Sequence, residues 1–224
     1  MSPSPSSAAD AAQHTRTAHG HAPDRSPLRE PFPRLLPWLL LVGGLLGAGA
    51  AFVLTVEKIA LITDPEFIPS CSLNPVLNCG SIMKTDQAEL LGFPNPLIGL
   101  ATFPVLAATG ALLLARVRLP RWYWLGLQAG ATLAVVFVGW LIFQSLYRIG
   151  ALCPYCMVVW AIVIPVFWYL TLSNLATGRL GVAGTGTPIR MLVTNHAVAL
   201  TLITTVIAAL VTHRFWDYWS SLIT

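Results

Sequence analysis

The chain has 224 residues, 55% of them hydrophobic and only 10% charged, with four cysteines and a formal net charge of +4. Typical soluble domains carry about 25% charged residues, so this composition excludes a water-soluble fold. The basic excess is spread between apolar runs rather than gathered into a patch, which argues against a nucleic-acid partner.

Residues 1–33 are rich in Ser, Pro, Ala and His and show no apolar period. Such a stretch cannot bury enough surface to offset its ordering entropy, so it reads as a disordered cytoplasmic tail. His14, His19 and His21 have no Cys nearby and read as tail residues rather than a metal site. The first apolar run, 35–56, begins too far from the start for a cleavable signal and is expected to be a retained anchor. Further runs over 96–115, 122–147, 152–177 and 191–212 are each long enough to cross a hydrocarbon core, which needs about 20 residues. The expected fold is therefore an all-α integral membrane protein. Gly43 and Gly47 in the first run form a small-xxx-small face suited to close packing within the bundle.

Five crossings alternate the loops between two sides. With the N-terminus inside, the cytoplasmic side holds Arg16, Arg25, Arg29, Arg34, Arg116, Arg118, Arg121, Arg179 and Arg190, and the other side holds Lys58, Lys84, Arg148 and Arg214. The excess of basic residues sets the orientation as N-in, C-out. All four cysteines then fall outside the cytoplasm, where disulfides persist.

Cys71 and Cys79 bracket Ser-Leu-Asn-Pro-Val-Leu-Asn in the first outer loop. Alone this pair is only weakly specific, since a static staple is the usual role for such a pair outside the cell. Asn74, Pro75 and Asn78 favour a turn-prone, accessible loop, and an exposed loop disulfide is labile. Residues 81–91 alternate Ile82, Met83, Leu90 and Leu91 with Lys84, Asp86, Gln87 and Glu89, the pattern of a short amphipathic half-helix on the membrane surface. Gly92 to Pro96 turns the chain inward.

Cys153-Pro154-Tyr155-Cys156 opens the fourth run. A Cys-x-x-Cys at a helix start places the first sulfur among free N–H groups that stabilise the attacking thiolate. Pro154 fits the first helical position, and Cys156 lies about 4.5 Å deeper. A structural disulfide or half a zinc site are the alternatives. The seven residues between Cys71 and Cys79 lie outside usual zinc spacing, and Pro within the motif suits redox pairs. Near the end, Arg214 to Trp219 resembles an interfacial aromatic belt, and His196 reads as a polar interfacial residue rather than a proton relay.

The ordered combination of a first helix, a loop cysteine pair, a half-helix, Asn95-Pro96-Leu97-Ile98-Gly99 opening the second helix, and Cys-x-x-Cys at the fourth resembles the vitamin K epoxide reductase family over about residues 35–175. The likeness is to its bacterial branch, whose function is DsbB-like. It implies a four-helix transmembrane bundle with a fifth helix outside, forming a membrane domain over 34–224. It also implies a thiol oxidoreductase that reoxidises a thioredoxin-like (DsbA-like) partner and reduces a quinone, menaquinone or ubiquinone, within the lipid bilayer. Cys71 would form the mixed disulfide with the partner, Cys79 would exchange with Cys153, and Cys156 would reduce the quinone.

Asn95 matches a family Asn that hydrogen-bonds a quinone carbonyl, and it also suits a helix N-cap. Trp160 stands where vertebrate relatives carry a quinone-binding Tyr. Ser81 and Thr85 compete for the family's hydroxyl position after the loop pair. Since the chain stops at Thr224 without a fused thioredoxin-like domain, the partner is expected in trans. The rival readings are a structural or transport protein with stapling disulfides, and a wire running in reverse. The five runs lack Asp, Glu, Lys and Arg, which would mark a transport path, and the topology offers no cysteine to a cytosolic donor.

Overall fold

The computed structural model describes residues 30–181 and 186–221. Five of its helices are long and apolar enough to cross a membrane. They are α1 (Leu35–Thr63), α3 (Pro96–Leu114), α4 (Arg121–Phe143, continued by a π-helical segment Gln144–Ile149), α5 (Pro154–Ala176) and α7 (His196–Arg214). Shorter helices are α2 (Cys79–Met83), a 3-10 turn Asp86–Glu89, α6 (Thr187–Thr194) and α8 (Trp216–Ser221). The chain is an all-α membrane protein, as composition and hydropathy require.

The bundle is built on α1. Its pairing with α3 is close enough that a Cβ at Gly44 would lie 2.4 Å from the Ala107 backbone N, and one at Gly110 2.4 Å from the Leu41 backbone N. Small residues let the two backbones meet, as membrane helix packing demands. The sequence pointed to Gly43 and Gly47; these face Ile162 and the Phe103 ring, so the small-residue face serves packing within the chain. By contrast α7 buries none of its residues and lies outside the bundle.

Several boundaries differ from expectation. Helix α1 runs seven residues past position 56, to Thr63, carrying Glu57 and Lys58 into a buried setting. The half-helix expected over 81–91 is broken into α2 and the 3-10 turn, because Thr85 takes an extended backbone and its hydroxyl donates back to Ile82 O at 2.7 Å. The fifth crossing breaks at Asn195 into α6 and α7. The disorder and the histidines expected over 1–29 lie outside the described residues. Residues 30–33, however, are packed: Glu30 pairs with Arg179 at 3.0 Å, and Phe32 stacks edge-on against Tyr169.

At this same end Arg121 Nε donates to Arg179 O, and the Arg179 guanidinium lies over the Trp124 ring. His196 Nδ1 meets the Tyr169 hydroxyl at 3.0 Å, fastening α7 to α5. At the opposite end Arg214 Nε donates to Leu146 O, and Phe215 is buried, so the terminal aromatic stretch is partly a packing element. That second end holds every cysteine.

Candidate active site

The loop after α1 is shaped by its asparagines. Asn74 Oδ1 accepts from Val76 N and Leu77 N, closing a turn of the kind Asx residues favour. Asn78 takes the N-cap of α2, with Oδ1 accepting from Ser81 N at 3.0 Å and facing Ser72 Oγ. The loop is then zipped to the segment before α5. Leu152 N donates to Val76 O at 2.7 Å, and Asn78 N donates to Leu152 O at 2.9 Å. Each of these bonds involves a residue next to Cys79 or Cys153, or close to it, so the register brings those two sulfurs together.

Cys71 and Cys79 form a disulfide, while Cys153 and Cys156 are free thiols. Cys79 Sγ lies 3.1 Å from Cys153 Sγ, and the sulfurs of Cys71, Cys79 and Cys153 all fall within 4.8 Å of one another. A disulfide with a thiol against one of its sulfurs is the arrangement that thiol–disulfide exchange needs. The expectation of an exposed loop disulfide is corrected here. Between the two cysteines only Leu73 and Pro75 are exposed, whereas Cys71 is 4% and Cys79 0% accessible. The backbone zipper and the neighbouring Leu54, Leu61 and Met83 cover the bond.

Cys153 is the N-cap of α5, and its Sγ accepts from Cys156 N at 3.4 Å. Hydrogen bonding from the Cys156 side chain holds the Cys153 thiol below its ordinary pKa. Burial opposes this, backbone N–H groups of Cys156 and Tyr155 add to it, and the charge of Glu57 works against it. Of the two free thiols, Cys153 is the one whose thiolate is favoured by its hydrogen bonds.

A cavity of about 820 Å³ opens beside the sulfurs, and its wall includes Cys79, Cys153, Cys156, Asn95 and Trp160. Asn95 does not cap α3 as the sequence suggested it might; its Nδ2 donates to Gln87 O at 2.7 Å and its Oδ1 accepts from Leu90 N at 3.2 Å, closing the loop over the cavity. Trp160 is buried in the wall. Ser81 is exposed and stands apart from the wall, which Thr85 lines instead. Helix α2 ends before Thr85, and the extended backbone there redirects the chain toward the cavity.

Two residues escaped sequence reasoning. Gln144 Oε1 is the one buried side-chain polar atom lacking a hydrogen-bond partner among the described residues, and Gln144 lines the cavity from the π-helical turn. Glu57 is 7% exposed, with Oε2 at 3.4 Å from Cys71 Sγ. The signal for Gln144 was a lone amide near the end of an apolar run. Glu57, just past the end of the first apolar run, carried no signal of its own in the sequence.

A sequence model of the vitamin K epoxide reductase family matches residues 38–171, more than half of the chain. The chain belongs to the vitamin K epoxide reductase family. The match spans the loop pair, the Asn95 turn and the Cys-x-x-Cys motif, so the site assembled above is the family's own segment. Membership makes the protein a membrane thiol oxidoreductase that works through cysteine pairs. Comparison with curated proteins finds no matching relative.

Proposed function

We propose that the protein is a thiol:quinone oxidoreductase that reoxidises a thioredoxin-like, DsbA-like dithiol protein on the extracytoplasmic side of the cell membrane, supporting disulfide formation. The observation that carries this reading is the 3.1 Å contact between Cys79 and Cys153 at the wall of an apolar cavity. A joined Cys71–Cys79 pair beside a reduced Cys153 and Cys156 is the arrangement that this reading expects once electrons have passed inward.

In this mechanism a partner thiolate attacks Cys71 and releases Cys79. Cys79 attacks Cys153 of the oxidised helix pair, releasing Cys156. The partner's second sulfur then frees Cys71, which closes on Cys79 and expels Cys153 as a thiolate. That thiolate is the species the hydrogen bonds at the start of α5 favour.

A quinone fits the cavity on the chemistry of its wall. The lining is almost wholly apolar and contains Cys156, and Gln144 Oε1, an acceptor without a donor, would suit a hydroxyl of the quinol product. Asn95 uses one Nδ2 hydrogen on Gln87 and keeps the second. Asn95, Gln144 and Trp160 would hold the ring. Such a group, menaquinone or ubiquinone, supplies a two-electron acceptor dissolved in the lipid. The orientation reading, with the N-terminus cytoplasmic and the sulfurs outside, is supported by the separation of the Glu30–Arg179–Arg121 end from the cysteine end.

The test is quinone reduction by the purified chain with a reduced thioredoxin-like protein or with a small dithiol. Cys71→Ala should stop the protein substrate yet spare the small dithiol, and Cys156→Ala should stop both. Loss of small-dithiol turnover in folded Cys71→Ala as complete as in Cys156→Ala would show that the pairs do not act in series.

A further inference from the structure

Glu57 takes no part in the electron path just described, yet its carboxylate touches one of the reacting sulfurs. It sits on α1, 7% exposed, and has no ion-pair partner among the described residues. The adjacent Lys58 turns away to Glu89 at 2.7 Å and to Met83 O at 2.7 Å. Glu57 Oε1 accepts from Ser70 N at 3.0 Å and from the Ser70 hydroxyl. This leaves Oε2 aimed at Cys71 Sγ, 3.4 Å away. Burying a carboxylate without a counter-charge is costly. Holding Ser70 needs only an acceptor oxygen, which an amide would supply, so the charge itself calls for an explanation.

The two sulfurs of the loop disulfide are unlike. Cys71 faces a carboxylate on α1, and Cys79 faces Cys153 on α5. In exchange, the sulfur whose thiolate is better stabilised leaves faster. A negative group against Cys71 opposes a thiolate there.

We propose that Glu57 is a directing residue that fixes which loop sulfur an incoming thiolate attacks. This rests on the relay reading above. When a partner thiolate attacks Cys71 Sγ, a new bond forms to Cys71, the Cys71–Cys79 bond breaks, and the electron pair leaves on Cys79, the sulfur in contact with Cys153. In the opposite sense, Cys153 thiolate attacking Cys79 would have to expel Cys71 as a thiolate against the Glu57 carboxylate. The charge thus lets a nucleophilic Cys153 rest 3.1 Å from a disulfide without reducing it.

The test uses the full chain. In Cys79→Ser, Cys153→Ala, Cys156→Ala protein, the pH dependence of iodoacetamide alkylation reports the Cys71 thiol. The charged or titratable groups that face this loop are Glu57 from α1 and, in the native chain, Cys153 from α5, with Lys58 held by Glu89. The midpoint should fall by about 1 pH unit or more in Glu57→Gln. It should fall part-way in Glu57→Asp, which keeps the charge but withdraws it and serves if the Gln variant does not fold. In Cys153→Ala, Cys156→Ala protein, reduced glutathione should add mainly to Cys71. The same adduct in Glu57→Gln should spread to Cys79, as mapped by peptide mass spectrometry.

An unchanged midpoint overturns the proposal, as does a shifted midpoint with the adduct still confined to Cys71. Neither readout involves quinone or a protein partner. A chain that fails to reduce quinone would therefore sink the proposed function while leaving these two results to stand or fall separately.

Discussion

The burial of the Cys71–Cys79 bond means that a protein partner reaches it only when the loop opens, and Asn78 is the residue through which opening can be tuned. Its side chain caps α2 through Ser81 N and meets Ser72 Oγ, while its backbone N–H remains bonded to Leu152 O in any variant except Pro. Replacing Asn78 by Ala removes an N-cap, typically about 1 kcal/mol, and a second hydrogen bond of about 1 kcal/mol. If the closed loop bears the whole loss, the open population rises by roughly 30-fold, since about 1.4 kcal/mol is tenfold. Reduction of the loop disulfide by a water-soluble phosphine, followed by alkylation and mass spectrometry, measures that population when opening is fast. The expected result is a rate about 30-fold higher in Asn78→Ala, with Asn78→Asp close to wild type because the capping oxygen is kept. Equal rates in Asn78→Ala and wild type would refute the idea that the zipped loop guards the bond.

Alkylation of Cys153 in the otherwise native chain should show a midpoint below that of an ordinary thiol. The thiolate is then populated as pH rises through that lowered value and lost as pH falls below it. Cys156→Ala should move the midpoint up, because the Cys156 side chain is the largest cause of the lowering. Gln144→Leu removes the Nε2–H groups that can donate to a quinone carbonyl and should raise the apparent KM for a short-chain quinone by about fivefold or more, equivalent to a hydrogen bond of about 1 kcal/mol, with dithiol exchange at the loop unchanged; an unchanged KM removes Gln144 from the ring site. Gly110→Leu should destabilise the bundle by about 1–3 kcal/mol, seen as a lower thermal transition, since its side chain would enter the α1 backbone at Leu41.

What the sequence made legible follows from strong periodic signals. Apolar runs set off by charged residues located the second, third and fourth crossings to within two residues, and Pro154 after Cys153 marked the start of α5 with its sulfur at the cap. Long-range choices were not legible. The extension of α1 to Thr63 is decided by Glu57 meeting Ser70 and Lys58 meeting Glu89, partners that local pattern cannot name. The burial of the loop disulfide depends on Val76 and Asn78 pairing with Leu152, more than seventy residues away. Asn95 had the residue type for a cap, but the chain before it folds back so that Gln87 O and Leu90 N claim its amide. Ser81 and Thr85 were equivalent as hydroxyls until the break after α2 turned only Thr85 to the cavity.

The central claim is that electrons cross between the two cysteine pairs at Cys79 and Cys153. A Cys71→Ser, Cys156→Ser chain retains only those two cysteines, and their sulfurs lie 3.1 Å apart in the native arrangement. Mild oxidation of this folded, membrane-embedded variant should join them within one molecule, giving a single mapped peptide pair that links the loop to the start of α5. Two thiols that both stay open to alkylation, or that link only between molecules, would contradict the account.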